Sequence, residues 1–537
     1  QELIVEKAVV IKSDGSEINA DIDVNHIVFK SLEANDFIYL KWKLKNFYSG
    51  KLANHFWDTF YFNAYYPAKM IRYALLVPNN FSFNYQTQNM QVQPTKKQTE
   101  KDILYQWSLN DEPAIAYEYY MPGLTDVGKM LYISSIEDWG YIVGWYSDLA
   151  RTKTRSSYEI KELVHELLKG KENDSEEAKI KTIYNFITEN IRYSSVSFRQ
   201  SSFIPQKARD VLVNKIGDCK DMSTLTIAML REAGIKAYYV LLNTKDRGRN
   251  ENILPSIAFN HCIVAVATIE GWLYLDPTAY NYPAGSLPEI DIDGFSLLIK
   301  SDVKSPEYLS GNQVIPNNIF RKSRVEIRPD RSLLVQSKTL RSGALSASMR
   351  NSYRYKGQKE KEITLTELLS KEFPNIKLTK FEIENLDDLR PEVSYTYHFE
   401  VPNYVNESGQ FLFLKIPWTD GLVGNRALSY EERKYPYNYW PWADTLVQEI
   451  EIQIPAGYEP LDLVKEVKFT SAIADYSISY SFSQGVLKGR RKFVNKKSVV
   501  LPEEYAEFKK YYNRVVNEDS KQILFKKIEL ALGMIEK

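Results

Sequence analysis

The stretch "NKIGDCKDMSTLTIAMLREAGIKAYYV", residues 214–240, sets Cys219 between Asp218 and Asp221 at the start of a run with helical period, and Cys219 is one of only 2 cysteines in the chain. A thiol is a strong nucleophile near neutral pH only with a base to take its proton and a third group to fix that base's tautomer. The chain holds 5 histidines, so the base can be sought by inspection. His26, His55, His165 and His398 read as structural or solvated residues. His261 falls inside an otherwise apolar run, "FNHCIVAV", and Asp276 closes the next one, "WLYLDP". A lone histidine on a strand is more often a satisfied core residue. The carboxylate ending the following strand is what turns Cys219, His261 and Asp276 into a candidate nucleophile, general base and orienting acid.

A helix start suits the nucleophile. The helix dipole favours a thiolate there, and the unpaired backbone N–H groups of the first turn, that of Cys219 included, can face a developing oxyanion. Asp218 reads as the helix cap and Asp221 as a first-turn acid. Their repulsion of a thiolate is offset once His261 becomes imidazolium. Cys262 follows His261 directly and must point to the opposite face of its strand, which reads as packing.

The elements that hold these residues lie in a middle segment with a period of its own. "SYEIKELVHELLKG" places Ile160, Leu163, Val164, Leu167 and Leu168 on one helical face and ends in Gly170. The next helix is expected to open with an Asp174–Glu177 capping pair, and the Cys219 helix to stop at Gly234. Strands are expected over 237–243, 259–268 and 272–277. Helices first and strands afterwards argue for an α+β unit over a βαβ winding. On both sides the pattern is short alternating strands cut by Pro, Asn and Asp, as in "YALLVPNNFSF" and "VSYTYHFEV". The 38 Tyr and 24 Phe suit pleated, half-buried surfaces. The divisions fall at 1–150, 151–305 and 306–537: β-rich, α+β, and β-rich with a helix near "PEEYAEFKKYYNRVV". Three parts also suit 537 residues at roughly 150 per domain.

Several functions are disfavoured. Lys plus Arg and Asp plus Glu number 69 each, so no net field draws nucleic acid or anionic lipid. No run of apolar residues is long enough to span a bilayer. Cys219, His261 and Cys262 lack the paired spacing of structural zinc, so no metal or other cofactor is expected. The acidic phrase "EIDIDGFSLLIK" (289–300) has the look of a calcium loop, but Lys300 stands at its twelfth position where a bidentate Glu is needed. A turn is expected there. The chain opens "QELIVEKAVV" without Met, as a trimmed product would.

"GDCKDMSTLTIAMLREAGIKAYYVLL", "FNHCIVAV" and "WLYLDPTAY" resemble the transglutaminase-like cysteine superfamily, whose core is papain-like. "VSFRQSSFIPQKARDVLVNKIGDCKD", "YYMPGLTDVGKMLYISSIEDWGYIVGWY" and "PEEYAEFKKYYNRVV" resemble a bacterial branch with one β-rich domain of unknown function before this core and a β-rich domain after it. The resemblance implies an α+β fold with a papain-like core between two predominantly β, sandwich-like domains. It implies Cys219 as nucleophile, His261 as general base and acid, and Asp276 as the orienting carboxylate. The activity it implies is hydrolysis of an amide or peptide bond through an acyl-enzyme, with amine transfer to protein glutamine, or a non-enzymatic envelope scaffold, as alternatives. A protein or peptide substrate, peptidoglycan stem peptide among them, and an exported or periplasmic location go with it. Papain-like enzymes often add a glutamine at the oxyanion, a role open to Gln200 or Gln206.

Overall fold

The computed structural model describes residues 2–528 except 24–25, 48–49, 196–202, 250–252, 311–312, 390–391, 421–427 and 439–442. Its middle is a five-stranded antiparallel sheet in the order Gly271–Leu275, His261–Thr268, Ala237–Asn243, Phe295–Leu298, Glu307–Tyr308. Side chains alternate between the faces of a strand, and the two faces here have different partners. Tyr239, Leu241, Cys262, Val264, Val266 and Leu297 pack with the helices Trp139–Ala150, Tyr158–Leu168, Glu176–Asn190 and Cys219–Glu232. Val240, Leu242, Ile263 and Ala265 pack on Leu287, Ile292 and Leu309 from the connections that follow.

Helix starts follow capping chemistry. Ser157, Ser175 and Asp218 accept from the backbone N–H of Ile160, Ala178 and Asp221. The cap of the second of these is therefore Ser175, one residue after the expected Asp174. A hydroxyl so placed reaches the third helical N–H, while Asp174 is spent in the preceding turn, its N–H bonded to the Lys171 carbonyl at 3.0 Å. The Cys219 helix ends at Glu232, and Gly234 then takes φ +81° to turn the chain into the sheet.

This helix runs through the centre of the molecule, buried continuously from Cys219 to Leu230. Burying Leu225, Ile227 and Leu230 contributes about 1.5–3 kcal/mol each. Its hydroxyls are satisfied locally: Thr224 donates to Lys220 O at 2.6 Å and Thr226 to Met222 O at 2.7 Å. Ser223 Oγ donates to Cys262 O at 3.0 Å, fastening the helix to the strand that opens with His261.

Both flanking regions are rich in strands. Before the helical layer, two three-stranded sheets share a small core of Leu75, Val77, Trp107, Leu131 and Ile133. After it, an eight-stranded sheet faces a four-stranded one. Val335, Tyr397, Phe399 and Ile450 of the first pack with Leu412, Leu414, Ile523 and Phe525 of the second, which makes a sandwich. The eight-stranded sheet contains a parallel pair, Asn318–Ile327 with Thr445–Gln453. The flanks brace the middle: Ser134 Oγ donates to Pro255 O at 2.6 Å, and Tyr280 Oη to Asn351 Oδ1 at 2.7 Å. Among the described residues no helix is long and apolar enough to cross a membrane.

Candidate active site

Cys219 is the first residue of its helix, after an Asp218 cap that forms a reciprocal capping box with Asp221. Gly217, just before, leaves no room for a side chain: a Cβ there would lie 2.7 Å from Asp221 Cβ and 3.3 Å from Val211 Cγ1. The two carboxylates beside the thiol are both compensated. Asp218 is ion-paired with the buried Lys220 ammonium. Burial pushes its carboxyl up, and the Lys220 contact opposes that. Asp221 accepts from the backbone N–H of Gln206 at 2.8 Å, the Gln206 side-chain amide at 2.8 Å and the Asp218 N–H at 3.2 Å. Gln206 is thus committed to holding the helix start, and Gln200 lies outside the described residues.

His261 opens its strand and pairs across to Leu242. Its Nε2 lies 3.2 Å from Asp276 Oδ2. The Cys219 thiol is near enough to the ring to help hold its charged form. Burial by itself would push the imidazole down; the Asp276 charge and the hydrogen bonds to Asp276 and Cys219 reverse this and hold it well above its ordinary value. The same contact reads in the other direction at Asp276. Burial raises that carboxyl, yet His261 and two donors from Thr278, the N–H at 2.9 Å and Oγ1 at 2.8 Å, bring it below the usual range. Tyr184, from the helix Glu176–Asn190, donates to the carbonyls of Asp276 at 3.1 Å and Ala279 at 3.2 Å, pinning the turn after the strand.

The structure therefore pairs His261 with Asp276 and sets Cys219 beside the ring. Cys219 is 3% exposed and the His261 side chain 13%. Cys262 is fully buried on the helix side of the sheet, where burial raises its thiol. The half-exposed Tyr193, paired with Gly217, lies near enough to feel the charges of both Cys219 and His261. Nothing in its own sequence context marks Tyr193; only the pairing of Arg192–Tyr193 with Ile216–Gly217 brings it to the site. Asp291 is the other residue that sequence reasoning passed over: with His261 and Asp276 it forms a group whose polar atoms lie within 4.8 Å of one another.

Three family models match parts of the chain. The transglutaminase-like superfamily matches residues 161–277, a domain of unknown function with a solved structure (DUF3857) matches 21–116, and a second such domain (DUF3858) matches 411–525. The chain carries a transglutaminase-like core. That core spans the helices after Tyr158 through to Asp276, so the Cys219 helix and both site strands fall within it. The whole fold is similar to the crystal structure of a putative protease from Parabacteroides distasonis, at TM-score 0.64 and 13% identity, over 98% of this chain and 89% of that one. A putative cysteine protease from Cytophaga hutchinsonii shares 14% identity over 42% of this chain and 78% of its own, at a TM-score of 0.19. No curated protein matches the chain.

Proposed function

We propose that the protein is a cysteine hydrolase that cleaves an amide or peptide bond through an acyl-enzyme on Cys219. What supports this reading is the His261 ring paired with Asp276 at 3.2 Å, with the Cys219 thiol near enough to act on that ring from the start of a helix. His261 takes the thiol proton at Nδ1 while Asp276 holds its Nε2–H and stabilises the imidazolium. The thiolate attacks the carbonyl carbon, and the Cys219 N–H, which as a first-turn group has no acceptor within its helix, faces the oxyanion. His261 then gives its proton to the leaving amine, and a water it activates releases the acid. Asp218, spent on Lys220, and Asp221, spent on three donors, leave the imidazolium as the charge that faces the thiolate.

Hydrolysis is favoured over amine transfer because transfer demands an acceptor channel that outcompetes water. A thiol only 3% exposed favours an extended peptide over a bulky folded chain. Peptidoglycan stem peptide is one substrate of that shape, and an exported, envelope-side location is part of this reading. The test incubates the protein with amide-bearing peptides and a labelled primary amine, with Cys219→Ala as control. Cys219-dependent release of peptide or ammonia supports hydrolysis. Dominant amine incorporation supports transfer instead, and no turnover with a reactive Cys219 supports a scaffold with a masked site.

A further inference from the structure

We propose that Asp291 is a positioning residue of this site: a neutral carboxylic acid that donates a hydrogen bond to the Asp276 carboxylate and fixes how Asp276 faces His261. The proposal rests on the site reading given above for Cys219, His261 and Asp276.

Asp291 is 1% exposed, and neither of its carboxyl oxygens has an N–H or O–H donor among the described residues. A carboxyl oxygen of Asp276 and a ring nitrogen of His261 lie within 4.8 Å of one of its own oxygens. Two carboxylates this close in a dry interior cannot both stay ionised, so one proton belongs between them. Asp276 already has two donors from Thr278 and the ring of His261, all of which favour its charged form. The proton therefore rests on Asp291. The charged and titratable groups facing Asp291 are Asp276 and His261 from the sheet, Tyr184 from the helix Glu176–Asn190, and Tyr282 from the connection. None of them offers Asp291 a cation of its own, because His261 is spent on Asp276. Burial first, and then the charge of Asp276, push the Asp291 carboxyl up to about 8.

The chain cannot swing this acid out to water. The Asp291 N–H bonds to Pro288 O at 3.0 Å and its carbonyl accepts from the Gly294 N–H at 3.1 Å. The next residue, Ile292, is buried with Leu287 beneath the sheet. The turn read from "EIDIDGFSLLIK" is thus a support that delivers one protonated carboxyl to the back of Asp276. Oriented from Thr278 on one side and Asp291 on another, Asp276 presents a fixed oxygen to His261 Nε2.

The test uses the full chain and two substitutions. Asp291→Asn keeps a donor of the same shape; Asp291→Val removes it. In infrared difference spectra of wild type minus Asp291→Asn at about pH 6.5, the carbonyl stretch of a protonated carboxylic acid is expected, fading with a midpoint near pH 8. The rate of Cys219 alkylation in Asp291→Asn should stay within about threefold of wild type, while Asp291→Val falls about tenfold or more, one pKa unit's worth of lost alignment. The proposal is overturned if no protonated-acid band distinguishes wild type from Asp291→Asn. It is also overturned if the two variants alkylate alike, or if the purified protein holds a stoichiometric divalent cation with Asp291 ionised. A wild-type Cys219 that resists alkylation would refute the nucleophile assignment alone, because the infrared band still decides where the proton sits.

Discussion

Replacing Asp276 by Asn changes one atom and leaves the packing alone, yet the site cannot absorb it. Oδ1 accepts twice from Thr278 while Oδ2 faces His261 Nε2 at 3.2 Å. If the new amide turns its NH₂ to the ring, Nε2 must accept, the ring proton moves to Nδ1, and Nδ1 can no longer take the thiol proton. If it turns its oxygen to the ring, the NH₂ meets the Thr278 donors. Two unit charges 3.2 Å apart attract by about 5 kcal/mol at an effective dielectric of about 20. Burial of the imidazole opposes this. If about half survives, the imidazolium loses about 2.6 kcal/mol of support, which is about a hundredfold in its favour over the neutral ring. The assay is the rate of Cys219 alkylation by iodoacetamide against pH. Asp276→Asn should be slower by about a hundredfold near pH 6 and within a few fold of wild type above about pH 9, where an unassisted thiol ionises. A variant within about threefold of wild type near pH 6 would refute the role of Asp276. A uniform drop at every pH would mean altered access in place of lost pairing.

Gly217→Ala should destabilise the protein by about 1–3 kcal/mol in denaturant titrations, because its Cβ has 2.7 Å to Asp221 Cβ. An unchanged midpoint would show that the helix start yields. Asp291→Asn should stabilise the fold increasingly from about pH 4 to about 8. The unfolded acid ionises near 4 while the folded one keeps its proton to about 8, so each unit between costs the wild type about 1.4 kcal/mol and the gap is constant above. A difference in Tm that does not grow from pH 5 to 7.5 would contradict this. We propose domain boundaries near 135 and 305, the first ahead of the expected 150 because the helix Trp139–Ala150 shares the core of the middle part. A 135–305 fragment should unfold cooperatively, whereas 151–305 should not, since it lacks Trp139, Ile142, Val143 and Tyr146 from the shared core. Equal cooperativity of the two fragments would place that helix outside the folding unit.

Much of the site could be read from local chemistry. The Asp218 cap, the helix from Cys219, the strand that opens with His261 and the one that ends just before Asp276 follow from capping residues, helical period and apolar runs, each a matter of near neighbours in sequence. The α+β middle between β-rich flanks was legible for the same reason. What escaped depends on distant pairing. Asp291 sits in a phrase read as a turn, which holds only for 289–293, since Phe295–Leu298 is a strand of the central sheet; its meaning comes from the sheet that packs against it. Gln206 reads as a possible oxyanion donor until Asp221 is seen to take its amide. Ser175 displaced Asp174 as a cap by a single residue, a distinction that propensity does not resolve. The parallel pairing of Asn318–Ile327 with Thr445–Gln453 joins strands separated by most of the sandwich, where alternation says which face is buried but not which strand is next.

Competition between the two cysteines tests the central claim most directly. Native protein is treated with substoichiometric iodoacetamide at about pH 6, quenched, and mapped by peptide mass spectrometry. A histidine-paired thiol reacts under these conditions while a thiol in an apolar interior does not. Labelling should appear on Cys219 alone, with Cys262 modified only after unfolding, and His261→Ala should abolish the Cys219 signal. Labelling of Cys262 first, or of neither cysteine until the chain unfolds, would contradict a His261-activated Cys219.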